Sequence, residues 1–406
     1  MPFPTVIDNI LGLSEAVVAG PYQDTINSNI FALLVDGVAN TGDLQSYVST
    51  DNGITWAIAD NAHHPVIATV GGFCGLSFGA TYDSSARLIN VIYSNQTPGF
   101  SFINFDTAAG TWGTPINSGS GTQFLGTQTG GSTNGDVWGG NQELYMGSLG
   151  GGTYIFAYSG AANFQQIGEF DYTLTSVFNG ATFTPPVIVY ASSVFNNAIS
   201  SGTTNYPIGV IPINGSQAVL ITQGYLNDGF GDLSNFDTLS WVIDGTTSQL
   251  GGSTLLASSS INIGLVAAVG YTTGGTIYVP HSDFTNFSLY SSPYPSLSWT
   301  QTVIGSPDFS YSAVLAGTTT YLFNGNSSTI VMYTNTGLGW SSAISLYTSP
   351  NTDIFNVSAQ IVNGTNGIVF DDVDTATFSM YKTKYFTGII VTPTSGRVLG
   401  PLNLTY

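Results

Sequence analysis

The chain has 406 residues, with 4 Lys and Arg against 23 Asp and Glu, for a formal charge of −19. Charged residues are 7% of the total, against roughly 25% in an ordinary domain, while hydrophobic residues reach 42% and aromatics 13%. That much apolar side chain excludes disorder, and four cations cannot follow a phosphate backbone, so nucleic acid is excluded as a partner.

No uninterrupted apolar run reaches the about 18 residues of a membrane-crossing helix, so no membrane insertion is expected. Helical periodicity is almost absent. Short runs rich in Val, Ile, Thr, Tyr and Phe alternate with Gly, Asn, Ser and Pro turns, the pattern of an all-β chain. Residues 1–25 precede the first clear strand. Tyr47 then leads into the turn Ser49-Thr50-Asp51-Asn52-Gly53-Ile54-Thr55-Trp56, and Phe105 into a polar turn ending at Trp112. Glu143–Met146 and Thr153–Tyr158 read as a hairpin, followed by a degenerate turn ending at Phe164. A long interval containing Thr184-Pro185-Pro186-Val187 follows, holding either an insertion or a further hairpin, before the turn Phe236–Trp241. Gly275–Val279 with Phe287–Tyr290 is the next hairpin, and its turn runs from Tyr290 to Trp299. Thr320–Phe323 and Thr329–Tyr333, joined by Asn324-Gly325-Asn326, form another, with a turn ending at Trp340. Gly367–Phe370 and Thr377–Tyr381 form the last.

The aromatics at 56, 112, 164, 241, 299 and 340 are separated by 56, 52, 77, 58 and 41 residues. A repeat of about 40 to 60 residues supplies the four strands of a propeller blade. Ser49, Asp51, Gly53 and Trp56 resemble the Asp-box, Ser-x-Asp-x-Gly-x-x-Trp, of sialidase-like (BNR-repeat) β-propellers, and the later turns resemble degenerate copies. The resemblance implies an all-β single β-propeller of four-stranded antiparallel blades over 26–406, seven blades favoured and six the alternative, with 1–25 packing on or closing the ring. In such a turn Asp accepts backbone N–H groups, Gly supplies a positive φ, and Trp packs between blades. Sialidase chemistry is the activity the resemblance suggests first, and it uses three arginines on the substrate carboxylate. Only Arg87 and Arg397 are present, so that chemistry is excluded.

Other chemistry is sparse. A carboxylate pair for glycoside hydrolysis would fall on Glu143 and Glu169, which read more simply as strand residues facing solvent. His63, His64 and His281 form no zinc spacing, and no Gly-x-Ser-x-Gly elbow accompanies them. No cofactor is required, but Ca²⁺ would suit two oxygen-rich sets: Asp228, Asp232 and Asp237 on a Gly-rich turn, and Asp371, Asp372 and Asp374. Tyr290, Tyr294 and Trp299 share one loop and are candidates for stacking on a sugar, or else for packing between blades. Asn-x-Ser/Thr sequons occur at Asn95, Asn214, Asn286, Asn326, Asn356, Asn363 and Asn403, as many as this composition yields by chance.

Cys74 is the single cysteine, and the N-terminus has no basic start before its apolar stretch, so a secretory leader is not expected. An uncharged Ser, Thr and Asn exterior without a leader fits a protein released in a particle. With few salt bridges to break and little positive charge to gain, acid tolerance is expected as well. The expectation is therefore a non-enzymatic extracellular or virion-surface structural protein. It would contact neighbouring copies or other coat proteins and attach to cell-surface glycan. The alternative is a secreted carbohydrate-binding or glycoside-hydrolase propeller.

Overall fold

The computed structural model describes residues 4–11, 18–38, 41–60, 65–68, 78–94, 100–118, 144–164, 168–189, 205–227, 233–248, 250–259, 271–273, 275–282, 286–306, 310–316, 319–326, 328–336, 339–350, 353–373 and 380–390. Of the residues singled out above, His63, His64, Cys74, Asn95, Glu143, Asp228, Asp232, Asp374, Arg397 and Asn403 lie outside these.

After β1 (Thr5–Leu11), the first blade is built from β2 (Val18–Gln23), β3 (Ile30–Val38), β4 (Thr41–Ser49), β5 (Ala57–Ile58) and β6 (Val66–Ala68). The second holds β7 (Phe78–Asp83), β8 (Leu88–Ser94), β9 (Phe100–Asp106), β10 (Thr111–Trp112) and β11 (Ile116–Asn117). The third holds β12 (Leu144–Gly150), β13 (Thr153–Phe164), β14 (Gly168–Phe178) and β15 (Val187–Val189). The fourth holds β16 (Asn205–Asn214), β17 (Gln217–Asn227), β18 (Leu233–Asp244) and β19 (Leu250–Ser259). The fifth holds β20 (Tyr271–Thr273), β21 (Thr276–Ser282), β22 (Phe287–Pro293) and β23 (Thr300–Gly305), and the sixth β24 (Ser310–Ala316), β25 (Thr319–Asn326), β26 (Thr329–Asn335) and β27 (Ile344–Thr348). In the seventh, β28 (Asp353–Val362), β29 (Thr365–Val373) and β30 (Met380–Ile390) are completed on the outer edge by β1. The protein is a seven-bladed β-propeller of antiparallel sheets.

Pairing of Thr5 with Tyr385 through Leu11 with Met380 joins the two ends of the chain in one blade. The stretch 1–25 thus divides: β1 belongs to the seventh blade, and β2 is the innermost strand of the first.

Alternation along each strand explains why the sheets stack around an axis. In β3, Ile30, Ala32 and Leu34 pack with Val362, Val369 and Tyr385 of the seventh blade. Phe31, Leu33 and Val35, on the opposite face, pack with Ala80, Val91 and Phe105 of the second. A strand buried on both faces reads as one continuous apolar run, as Ile30–Val35 does. The described core divides into seven apolar clusters, one for each seam between neighbouring blades.

Two turn markers from the sequence need correction. Phe164 ends β13 and Trp241 lies within β18, so neither follows a turn between third and fourth strands. In the third and fourth blades those turns are Asn179–Thr182 and Asp244–Thr247. The 77-residue interval between Phe164 and Trp241 therefore spans the end of one blade and the start of the next. Both residues sit in the longest strands, where an aromatic after a short polar run imitates a turn end.

Near the axis the blades approach closely. A Cβ on Gly147 of β12 would lie 2.7 Å from the Pro212 ring and 3.2 Å from Val210 of β16. Gly147→Val should destabilise the protein by about 1–3 kcal/mol in urea unfolding, because the excess volume strains a packed seam. Gly252→Ala, where a Cβ meets nothing within 4 Å, should change stability by less than about 0.5 kcal/mol.

Candidate functional site

Sequential antiparallel pairing puts the first-to-second and third-to-fourth connections of every blade on one face of the ring. On that face, Ser49–Trp56 links β4 to β5. Ser49 Oγ donates to Asp51 Oδ1 at 2.8 Å and accepts the Gly53 N–H at 2.7 Å. Asp51 also accepts from the Ile54 N–H at 3.1 Å, the Thr55 N–H at 2.8 Å and Thr55 Oγ1 at 2.6 Å. These bonds, the Thr55 hydroxyl first, hold its carboxyl down to about 2. Gly53 has φ +85°, and a Cβ there would overlap the Tyr385 ring at 2.1 Å. Trp56 meets that ring edge-on, 5.3 Å between centroids. The turn is fastened to the seventh blade.

Equivalent turns use the same chemistry with other residues. Asp106 accepts from the Ala108 and Ala109 N–H groups, Asn179 from Ala181 and Thr182, and Asp244 from Thr246 and Thr247. An aromatic after the turn packs on the preceding blade. Trp112 packs on the first blade, Phe183 on the second and Trp340 on the fifth, and Trp299 donates through Nε1 to Ser240 Oγ of the fourth at 2.8 Å. The sequence reading missed Asn179 and Asp244. An Asn or Asp with Thr three residues on, between two strand-like runs, would have found them.

The buried charges lie at the seams. Arg87 Nε donates to both oxygens of Asp24 at 3.1 Å, with the guanidinium in a bidentate ion pair, and Thr107 Oγ1 donates to Oδ2 at 3.4 Å. Asp24 is fully buried between the first two blades. Burial pushes its carboxyl up, but Arg87, the Ile26 N–H and Thr107 outweigh that and hold it below its ordinary value. Between the sixth and seventh blades, Lys384 pairs with Asp372 and donates to Tyr347 Oη at 3.2 Å. Tyr347 in turn donates to Asp372 Oδ2 at 2.9 Å, and Ser349 Oγ donates to Oδ1. Burial pulls the Lys384 ammonium down, and Asp372 with Tyr347 raises it by more, so it stays charged.

That second pair bears directly on the calcium set. Asp371 and Asp372 are successive strand residues opposite Thr383 and Lys382, so they face opposite sides of β29, and Asp372 is already engaged by Lys384. Asp237 sits in mid-strand, opposite Gly224 and Ser258. Among the described residues no group of three or more His, Cys, Asp or Glu is placed to hold a metal ion.

The three loop aromatics do not form one exposed platform. Tyr290 is buried at the seam of the fourth and fifth blades, Trp299 is bonded to Ser240, and the Tyr294 hydroxyl donates to Gln217 Oε1 across the same seam. His281 is buried there too, Nε2 lying 3.3 Å from Thr238 Oγ1. Glu169 lies on β14 opposite Asn163. Among the described residues Asp51, Asp106 and Asp244 are engaged by their turns, and Asp24 and Asp372 by cations.

No family model and no curated protein matches the chain. Solved structures do. A prolyl endopeptidase is 13% identical over 93% of this chain and 51% of its own, with a TM-score of 0.41. An α-L-arabinanase of Penicillium chrysogenum complexed with arabinobiose is 12% identical over 95% and 98%, with a TM-score of 0.47. Trypanosoma rangeli sialidase in complex with sialic acid is 9% identical over 80% and 55%, with a TM-score of 0.48. The chain thus spans about half the length of the first and the third. Likeness this remote carries no activity across.

Two measurements probe the charges. Asp24, Asp51, Asp83 and Asp244 all titrate below their ordinary value of 3.8, so the stability they add is whole above it and fades as pH falls through each lowered value. The melting temperature should therefore hold steady from neutral pH to about pH 4 and drop toward pH 2, and Asp51→Asn should shrink that drop. Asp372→Ala, which strands a buried ammonium, should cost about 3–5 kcal/mol in urea unfolding, and the joint change Asp372→Leu with Lys384→Met should recover most of it.

Proposed function

We propose that the protein is a non-catalytic propeller displayed at an extracellular or virion surface, where it recognises neutral glycan. The observation that carries this reading is where the cations go. Arg87 is bound to Asp24 and Lys384 to Asp372, both inside seams. The sequence holds only Lys382 and Arg397 besides. That leaves at most one guanidinium and one ammonium for an anionic ligand, short of the clustered cations by which sialylated, sulfated or phosphorylated ligands are gripped. The turns offer Asn, Ser, Thr and Asp groups, which suit sugar hydroxyls, and the charge the exterior does carry is almost wholly negative. In this reading Ser49–Trp56 is an Asp-box acting as scaffold, its Asp51, Gly53 and Trp56 occupied in holding the first blade to the seventh. No cofactor enters it.

A glycan array carrying neutral, sialylated and sulfated structures tests the reading. Binding confined to neutral glycans, insensitive to salt and without product release over long incubation, is the expected result. Preference for the acidic glycans would overturn it. Turnover of a neutral oligosaccharide, lost in Glu143→Gln or Glu169→Gln, would replace it with the glycoside-hydrolase alternative.

A further inference from the structure

The charge of −19 is spread unevenly along the chain. Between Asp244 and Asp353 the only charged residues are Asp283 and Asp308, and all four cations and every other carboxylate lie elsewhere. That stretch contains β19 and the whole of the fifth and sixth blades, so one flank of the ring is nearly neutral while the rest is acidic.

The outer edge of that flank is a bare strand. β23 pairs with β22 and with no other strand among the described residues. Thr300, Gln301, Thr302 and Val303 are all exposed, Val303 at 56%. Leu255 of β19 and Ile344 of β27, on the adjoining blades, are also exposed apolar residues. Edge strands are ordinarily protected by a Lys, a Pro, a bulge-borne twist or an inward charge. Thr300-Gln301-Thr302-Val303-Ile304-Gly305 contains no charged residue and no Pro, and its one bulge, at Ile304, falls at the end of the strand and leaves Thr300–Val303 regular.

We propose that this edge is the contact between two copies of the chain, with β23 pairing antiparallel to its own mate across a two-fold axis. Electrostatics selects the flank for contact between like copies, and the run of four exposed residues in β23, against two at the start of β27, selects the edge. Two molecules of the same strong negative charge repel wherever carboxylates face one another. That repulsion fades over a Debye length of about 8 Å at physiological salt, so like molecules meet where charge is absent. Among the described residues the outer edge of β23 meets no other strand, and the group that satisfies a row of peptide N–H and C=O groups is another strand. An antiparallel β23 pair is self-complementary, as an isologous contact requires, and would run two blades into one continuous sheet with Val303 near the axis. This inference stands apart from glycan recognition.

Sedimentation velocity of the full chain, read against concentration and salt, tests it. The expected result is a dimer that persists or tightens as salt rises, since screening removes only the repulsion. Val303→Asp, an exposed change that leaves circular dichroism and melting unaltered, should abolish the dimer, whereas Ile26→Asp on the first blade should not. In a Cys74→Ser background, Thr302→Cys should be trapped as a covalent dimer by mild oxidation, and Ile26→Cys should stay monomeric. A wild-type chain that is monomeric at high concentration, or a dimer that survives Val303→Asp without a Thr302→Cys cross-link, would overturn the proposal. Neutral-glycan binding by such a monomer would leave the functional reading intact.

Discussion

A propeller blade has no core of its own. Each sheet is apolar on both faces, and each face is covered only by the next blade, so the seven seams have to be made together. That constraint explains why β3 is apolar at every position from Ile30 to Val35. It also explains why β1 matters: without a strand from the chain start, the seventh blade would end at β30, and Tyr385 would lose the cover of Ile7. Ring closure turns seven local packings into one cooperative object, in contrast to open repeat arrays, where each unit depends only on its neighbours.

The seams also set where charge can be placed. A buried carboxylate in such an interface costs several kcal/mol unless it is paired and bonded; this protein buries Asp371 fully, and with it the two carboxylates of its ion pairs, Asp24 and Asp372. Each of these two is matched by one of its few cations, and each is backed by hydroxyls: Thr107 for the first, Tyr347 and Ser349 for the second. Arg87 and Asp24 join adjacent blades directly, whereas Lys384 and Asp372 share the seventh blade and are tied to the sixth by Tyr347 and Ser349, so both clusters fix one sheet against the next. An apolar replacement would add stability as readily and would specify alignment less.

Much of this was legible in the sequence. Runs such as Thr320–Phe323 and Thr329–Tyr333 lie in β25 and β26, and the turn at Ser49–Trp56 behaves as its residue types require. What misled was the use of an aromatic as the marker of a blade. Trp241 packs from mid-strand against the third blade, its indole N–H donating to Thr222 Oγ1 on the neighbouring strand of its own blade, and nothing in a local window separates it from Trp299 at a turn end. The carboxylate sets misled for a related reason. Asp371 and Asp372 are neighbours in sequence and lie on opposite faces in space, and the cation that answers Asp372 is on the next strand. Pairing across strands is a long-range fact, and spacing along the chain does not report it. Tyr290, Tyr294 and Trp299 share a loop in sequence, yet all three turn to the fourth blade.

Part of the acidity of the chain comes from its turns. Asp51, Asp83, Asp106 and Asp244 each accept two neighbouring backbone N–H groups at a strand end, and three of them titrate below the ordinary value. A carboxylate serves this purpose better than an amide because its charge strengthens both bonds. A fold with so many two-strand reversals therefore accumulates Asp without needing Lys or Arg to answer it. Where Asn takes the position, as Asn179 does, the geometry persists and the charge is absent. The neutrality of the fifth and sixth blades then reflects turns built from other residues, such as Pro293–Trp299 and Asn335–Trp340, in which proline, serine and glycine shape the reversal. The uneven field that results is what distinguishes one side of a nearly symmetric ring from the other.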